Sequence, residues 1–270
     1  MTDSPMNRPE KCNYHTHTRR CMHAEGEDEA YVEAAIRGGF DVLGFSDHAP
    51  FPFVSGYVSP IRMTMEELPG YLASCRSLKA KFAGQIHLHI GLEAEYFPRY
   101  DDHLRRLRDQ GIEYLILGQH YADSEEFSPY VGSACVSDEE VLRYAEAVVR
   151  GIKSGLFAYV AHPDLMMRCR REDQFSRACA EAADMICQAA MEADLPLEYN
   201  LLGLALQISG TGCGYPCNAF WEYILPRHPK VILGVDAHKP SLLESGYLWL
   251  RGVETIKELG FKRVKHLALD

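Results

Sequence analysis

The stretch Asp41-Val42-Leu43-Gly44-Phe45-Ser46-Asp47-His48 is a short apolar run that ends in a carboxylate and an imidazole. A run of that length and composition suits a buried strand, and its polar ending recurs along the chain. Working outward, strands are expected at Lys11–His15, Asp41–Asp47, Ile86–Glu93, Tyr114–Gln119, Phe157–Ala161, Leu195–Asn200 and Val231–Asp236, with a further short strand at Val264–Leu267. Longer stretches of helical periodicity separate them, so the chain reads as seven βα units. That pattern predicts an α/β fold, a distorted parallel (β/α)7 barrel of TIM-like type, in one domain over residues 1–270.

Local signals support the helix boundaries. Thr64 to Glu67 and Ser137 to Glu140 both fit the capping box, in which a hydroxyl and a carboxylate satisfy first-turn N–H groups. Gly38, Gly39, Gly111, Gly155 and Gly260 stand where helices should stop. The longest irregular connection, 47–64, is rich in Pro and aromatics (Pro50, Phe51, Pro52, Phe53, Tyr57, Pro60), and reads either as a lid or as a packed surface loop.

Composition narrows the function classes. With 47% hydrophobic and 24% charged residues the chain can bury a real core. It has no apolar run of about 18 residues, and its start, MTDSPMNRPEKCNYH, lacks the apolar centre of a signal peptide; a cytoplasmic protein with no membrane partner is expected. The nine cysteines are an odd number in a chain too large to need staples, and read as free thiols in a reducing compartment. Cys213 and Cys217, without a second pair, are given no metal role. A net charge of −10 and the absence of a Lys/Arg run argue against nucleic acid as a partner. A small phosphorylated metabolite remains compatible if bound cations reverse the field within one pocket.

The placement of the 12 histidines supplies those cations with ligands. His15, His17, His48, His120, His162 and His238 lie at or just after the C-terminal ends of expected strands. In a parallel barrel those ends converge on the face where chemistry sits. His15 and His17, two apart, project to the same side and can reach one ion. His87 and His89 have the same spacing but sit early in their strand, so a structural role is expected for both. Asp236 beside His238, and Glu93 at the end of its strand, add carboxylates; mixed carboxylate and imidazole sets suit divalent Zn, Mn or Fe. A carboxylate can bridge two ions, and Glu93 is the natural bridge. His23, six residues beyond His17, completes the set, whereas His103, His228 and His266 are expected to be structural or surface groups.

The ordered motifs His15-Thr16-His17, Ser46-Asp47-His48, Gly91-Leu92-Glu93, His120, Ala161-His162-Pro163-Asp164, Glu198-Tyr199-Asn200 and Asp236-Ala237-His238 resemble the polymerase and histidinol phosphatase (PHP) superfamily, and within it the histidinol-phosphatase branch. The resemblance implies a seven-stranded barrel with three divalent transition-metal ions. One would be held by His15, His17, Glu93 and Asp236, a second by Glu93, His120 and His162, and a third by His23, His48 and His238. It also implies that Glu93, Asp236 and His238 are catalytic and that a metal-bridging hydroxide hydrolyses a phosphate ester, L-histidinol phosphate first among candidates, in histidine biosynthesis.

Alternatives stay open. These are a related phosphoesterase acting on a nucleotide or sugar phosphate, a non-catalytic metal-binding or regulatory domain, and a metal-dependent amidohydrolase. Ala205 stands where the branch usually has an arginine, and Arg168, Arg170 and Arg171 are candidate substitutes for phosphate contact. Asp47, Asp123 and Asp164 are candidates for the general acid, or for orienting a histidine.

Overall fold

The computed structural model describes residues 10–134 and 136–269. The start of the chain, through residue 9, Cys135 and Asp270 lie outside the described residues. The strands are β1 (Cys12–Asn13), β2 (Val42–Phe45), β3 (His87–Ala94), β4 (Tyr114–Leu117), β5 (Tyr159–Val160), β6 (Leu197–Asn200) and β7 (Val231–Gly234). The helices are α1 (Asp28–Arg37), α2 (Leu68–Lys81), α3 (Asp101–Asp109), α4 (Asp138–Lys153), α5 (Arg177–Glu192), α6 (Leu201–Ile208), α7 (Asn218–Ile224), α8 (Ser241–Glu244) and α9 (Gly246–Glu258). None of the described helices is long and apolar enough to cross a membrane.

All neighbouring strands pair in parallel and in chain order, from β1 to β7. The ring closes just past the strand ends, where Thr16 bridges Ala237 and the His17 N–H donates to the Ala237 carbonyl at 2.9 Å. The seven-unit barrel expected from the sequence is therefore present, and its distortion has a local cause. Asn13 bonds the His15 carbonyl at 3.0 Å and the Thr16 hydroxyl at 2.8 Å through Nδ2, and accepts the Val235 N–H at 2.8 Å. These side-chain bonds compete with the ladder and end β1 early.

The strand expected at Val264–Leu267 is absent. One bridge forms on the outer edge of β7, Val231 to Arg263, with the Val264 N–H donating to the Val231 carbonyl at 2.7 Å; the segment then leaves that edge, and the Leu267 N–H donates to the Tyr14 hydroxyl at 3.4 Å. The Ser137 capping box is complete, with Glu140 Oε2 accepting from the Ser137 N–H at 2.7 Å and Ser137 Oγ from the Glu140 N–H at 3.2 Å. At Thr64 only half of it forms: Glu67 accepts the Thr64 N–H at 2.8 Å, and a turn intervenes before α2 begins at Leu68.

Strand side chains alternate between two apolar layers. Leu115 and Leu117 pack outward with the helices, and Tyr114 and Ile116 pack inward with Tyr14, Tyr159 and Ile232. Tyr114 plugs the barrel: its hydroxyl lies 2.8 and 2.9 Å from the carbonyls of Tyr14 and Phe45, which share its one proton. Gly44 and Gly91 make the room, since a Cβ at either would lie 2.1 Å from the Tyr114 oxygen or 2.4 Å from its ring. Removing that hydroxyl in Tyr114→Phe leaves buried carbonyl capacity unused, and is expected to cost about 1–3 kcal/mol in chemical denaturation. An unchanged midpoint would contradict the plug's role.

Candidate metal centre

Glu93, near the end of β3, is fully buried, and imidazole nitrogens crowd its carboxylate. His162 Nε2 lies 2.9 Å from it, His48 Nδ1 3.1 Å, His17 Nε2 3.2 Å, His15 Nε2 3.6 Å and His120 Nε2 3.7 Å. Asp236, just past β7, has His238 Nδ1 at 3.3 Å and the Nε2 atoms of His15 and His17 at 3.4 Å each. His23 stands at the exposed rim, its ring centroid 4.8 Å from that of His238 and 5.6 Å from that of His48. All nine residues singled out in the sequence thus meet at the C-terminal end of the barrel. Eight of them line one cavity of about 390 Å³, and His15 lies beneath its floor.

This donor set fits divalent cations. His17 Nδ1, His48 Nδ1, Glu93 Oε2, His162 Nδ1 and Asp236 Oδ1 are all buried without a hydrogen-bond partner. Each such orphan costs about 1–3 kcal/mol unless something else compensates it. Among the nine residues alone, three groups of ligand atoms are each mutually within 4.8 Å: His15, His17 and Glu93; His15, His162 and Asp236; and His48, Glu93 and His120. They cut across the division that the resemblance implies, since His48 also sits with Glu93 and His120. Burial opposes ionisation of Glu93, yet His15, His48 and His120 hold its carboxyl well below the usual carboxylate range. His15 and His238 do the same for Asp236 against the same opposition.

A second tier of carboxylates orients the imidazoles, and the sequence had not identified it. His15 Nδ1 donates to Glu198 at 2.7 Å and His120 Nδ1 to Glu95 at 2.9 Å, which turns both Nε2 atoms inward. Asn200 Nδ2 donates to Glu198 at 2.7 Å and to Asp236 at 3.1 Å. Glu95 is held in turn by Arg62, fully buried, which also bonds Glu125 at 2.7 Å and the Ala49 carbonyl at 2.9 Å. His103 Nε2 donates to the Pro50 carbonyl at 2.8 Å. The 47–64 connection is therefore pinned on both flanks, and its Pro60 and Ile61 form a wall of the cavity. The available signals were the Glu93-Ala94-Glu95 spacing and the Glu198-Tyr199-Asn200 motif.

The remaining candidates separate. Asp47 accepts from the Thr18 N–H and hydroxyl at 2.8 and 2.7 Å, and Asp164 from the Cys217 N–H and Trp221 Nε1 at 2.8 and 3.1 Å. Burial raises both carboxyls to about 6. They brace loops and bond none of the clustered histidines, and exposed Asp123 pairs with Arg143. None of the three lines the cavity. Arg168 does, lying over the Tyr130 ring at 5.7 Å. Arg170 and Arg171 are turned away by the tight turn that carries them: Arg170 bonds the Val136 carbonyl at 2.7 Å and Arg171 pairs with Asp173 at 2.8 Å. His87 is exposed, and His89 pairs with Glu113 at 2.7 Å outside the cavity. His162 and Asp236 have φ of 29° and 51°, left-handed values that cost non-glycine residues about 1–3 kcal/mol each and recur at functional sites.

Gly118, after β4, makes the cradle for Glu93: a Cβ there would lie 1.8 Å from Glu93 Oε1. Gly118→Ala is therefore expected to push Glu93 out of place and lower bound metal and activity at least tenfold, with helical circular dichroism retained. Unchanged metal content would show that Glu93 does not need this position.

The parallel barrel and its ring of imidazoles and carboxylates define a metal-hydrolase type of site. The chain belongs to the PHP domain family, which matches residues 13–201. A protein of Deinococcus radiodurans named probable histidinol-phosphatase is 29% identical over 266 residues, covering 94% of this chain and 95% of the relative. The histidinol-phosphatase of Bacillus subtilis is 26% identical over 74% of this chain and 84% of its own length. Two solved structures share the fold. One, from Lactococcus lactis, is a histidinol phosphate phosphatase complexed with zinc, L-histidinol and phosphate, with a TM-score of 0.70 at 19% identity, covering 94% of this chain and 95% of its own. The other, from Listeria monocytogenes, has a TM-score of 0.69 at 21% identity, covering 88% and 98%.

Proposed function

We propose that this chain is a cytoplasmic, single-domain, divalent-metal phosphoesterase that hydrolyses L-histidinol phosphate to histidinol and phosphate. The observation that carries the reading is the gathering of seven imidazoles and two carboxylates, several with unpartnered ligand atoms, around a cavity that also holds the Arg168 side chain. The substrate rests on the relatives aligned over nearly the whole length. The described cysteines are all free, as a reducing compartment requires.

In this reading His15, His17, Glu93 and Asp236 hold one ion, Glu93 with His120 and His162 a second, and His23, His48 and His238 a third; Zn, Mn and Fe all suit the donors. Such ions, when bound, neutralise phosphoryl oxygens and acidify water. Glu198 and Glu95 keep the His15 and His120 tautomers fixed, so both Nε2 atoms stay free to coordinate. Arg168 supplies a guanidinium for phosphate oxygens, backed by the face of Tyr130. Leu165, Leu202, Leu206 and Tyr215 form an apolar wall that accommodates the organic part and limits water.

A second reading, a phosphoesterase for another small phosphate, draws on the α6 side of the cavity, where Leu202 and Leu206 stand near Ala205 with no cation. A substrate panel separates the two. Histidinol phosphate should be turned over far better than an aryl phosphate, a nucleotide or a sugar phosphate; the reverse order would overturn the pathway and leave the chemistry standing. Arg168→Gln should lower kcat/KM about 10- to 100-fold, the equivalent of about 1.5–3 kcal/mol for a charge-assisted contact, and Arg171→Gln should not. Elemental analysis after growth with ample metal should give about three ions per chain, and one or none would contradict the trinuclear arrangement.

A further inference from the structure

Cys21 differs from the other buried cysteines among the described residues. Cys75, Cys179, Cys187 and Cys217 sit in the outer apolar layer, where a thiol behaves as a small hydrophobe, and Cys12, in the inner layer, groups with exposed Glu10 and His266 outside the cavity. Cys21 is fully buried yet belongs to neither layer. Its Sγ and ring nitrogens of His17 and His238 all lie within 4.8 Å of one another, a spacing at which three ligand atoms can share an ion. His17 adds an independent sign: its side chain is 1% exposed, its Nε2 faces Glu93 and Asp236 at 3.2 and 3.4 Å, and its Nδ1, on the other edge of the ring, is buried without a partner.

Local sequence explains how the thiol arrives there. A 3-10 turn at Arg19–Cys21 is capped by Thr18, which Asp47 anchors, and Met22 at φ 64° reverses the chain. Cys21 and His23 then converge on His238, and His23 Nδ1 donates to the Cys21 carbonyl at 2.5 Å, which leaves Nε2 free. Charge gives the thiol a purpose. The sites built on Glu93 and Asp236 have carboxylates, whereas His23, His48 and His238 bring only neutral imidazoles to a dication.

We propose that Cys21 Sγ, as a thiolate, is a further ligand of the ion at the His23 and His238 edge of the centre. The proposal rests on the metal-centre reading above. Coordination replaces the S–H bond with a sulfur–metal bond and releases the proton to solvent, and the donor set favours a borderline-soft cation such as zinc or cobalt over magnesium.

The test is to strip the protein with a chelator and titrate it with Co(II). Bound cobalt should give visible ligand-field bands together with an intense near-ultraviolet thiolate-to-cobalt band. That band should vanish in Cys21→Ser and Cys21→Ala, and persist in the Cys213→Ser, Cys217→Ser double variant. X-ray absorption on zinc-loaded wild type, which needs no variant to fold, should show a sulfur shell at about 2.3 Å beside nitrogen and oxygen at about 2.0–2.2 Å. Visible bands without the ultraviolet band, or an ultraviolet band that survives Cys21→Ser, overturn the role of Cys21 and leave the metal centre intact. Absence of cobalt binding overturns both.

Discussion

Five imidazole nitrogens lie 2.9–3.7 Å from one fully buried carboxylate, Glu93, and the architecture around the cavity follows from keeping that group ionised and in place. A carboxylate taken out of water is costly unless positive charge or hydrogen bonds replace the solvent. Here the histidines come from four separate segments, at His15–His17, His48, His120 and His162, so no local stretch of chain could assemble them. Only a closed parallel sheet, with every strand pointing the same way, delivers them to one end.

The supports are arranged in depth. Gly118 gives Glu93 its space, Glu198 and Glu95 fix imidazoles from behind, and Arg62 fixes Glu95. Because Arg62 is itself part of the 47–64 connection, the wall of the cavity and the orientation of His120 are tied to a single buried cation. That coupling argues for a fixed wall at Pro60 and Ile61 rather than a segment free to swing away, and the middle of the connection is tied as well, with Ser55 bonding Glu126 and Tyr57 and Ser59 bonding Glu125, while Val54 and Val58 stay exposed.

Much of this was legible in the sequence because barrel geometry turns strand-end positions into neighbours. His15, His48, His120, His162 and His238 needed only the correct strand assignment. The failures have a common physical origin in tertiary context. Nothing local distinguishes Val264–Leu267 from a strand; after the single bridge beside it, from Arg263 to Val231, the segment leaves the edge of β7 and Leu267 bonds the Tyr14 hydroxyl instead. Arg168 and Arg170 differ only in which way a tight turn points them. Glu95, Glu198 and Arg62 carry charges that would ordinarily be placed at the surface, and their burial follows from pairing partners 25 or more residues away. Asp47 and Asp164 misled for the converse reason, since adjacency to a clustered histidine in sequence did not mean a hydrogen bond to it.

The central claim is that Glu93 bridges cations, and anomalous diffraction from zinc-loaded crystals, recorded at the zinc absorption edge, tests it directly. The account predicts separate peaks on the two sides of the Glu93 carboxylate, each within about 2.0–2.2 Å of one oxygen. A single peak, or peaks that all avoid Glu93, would contradict it.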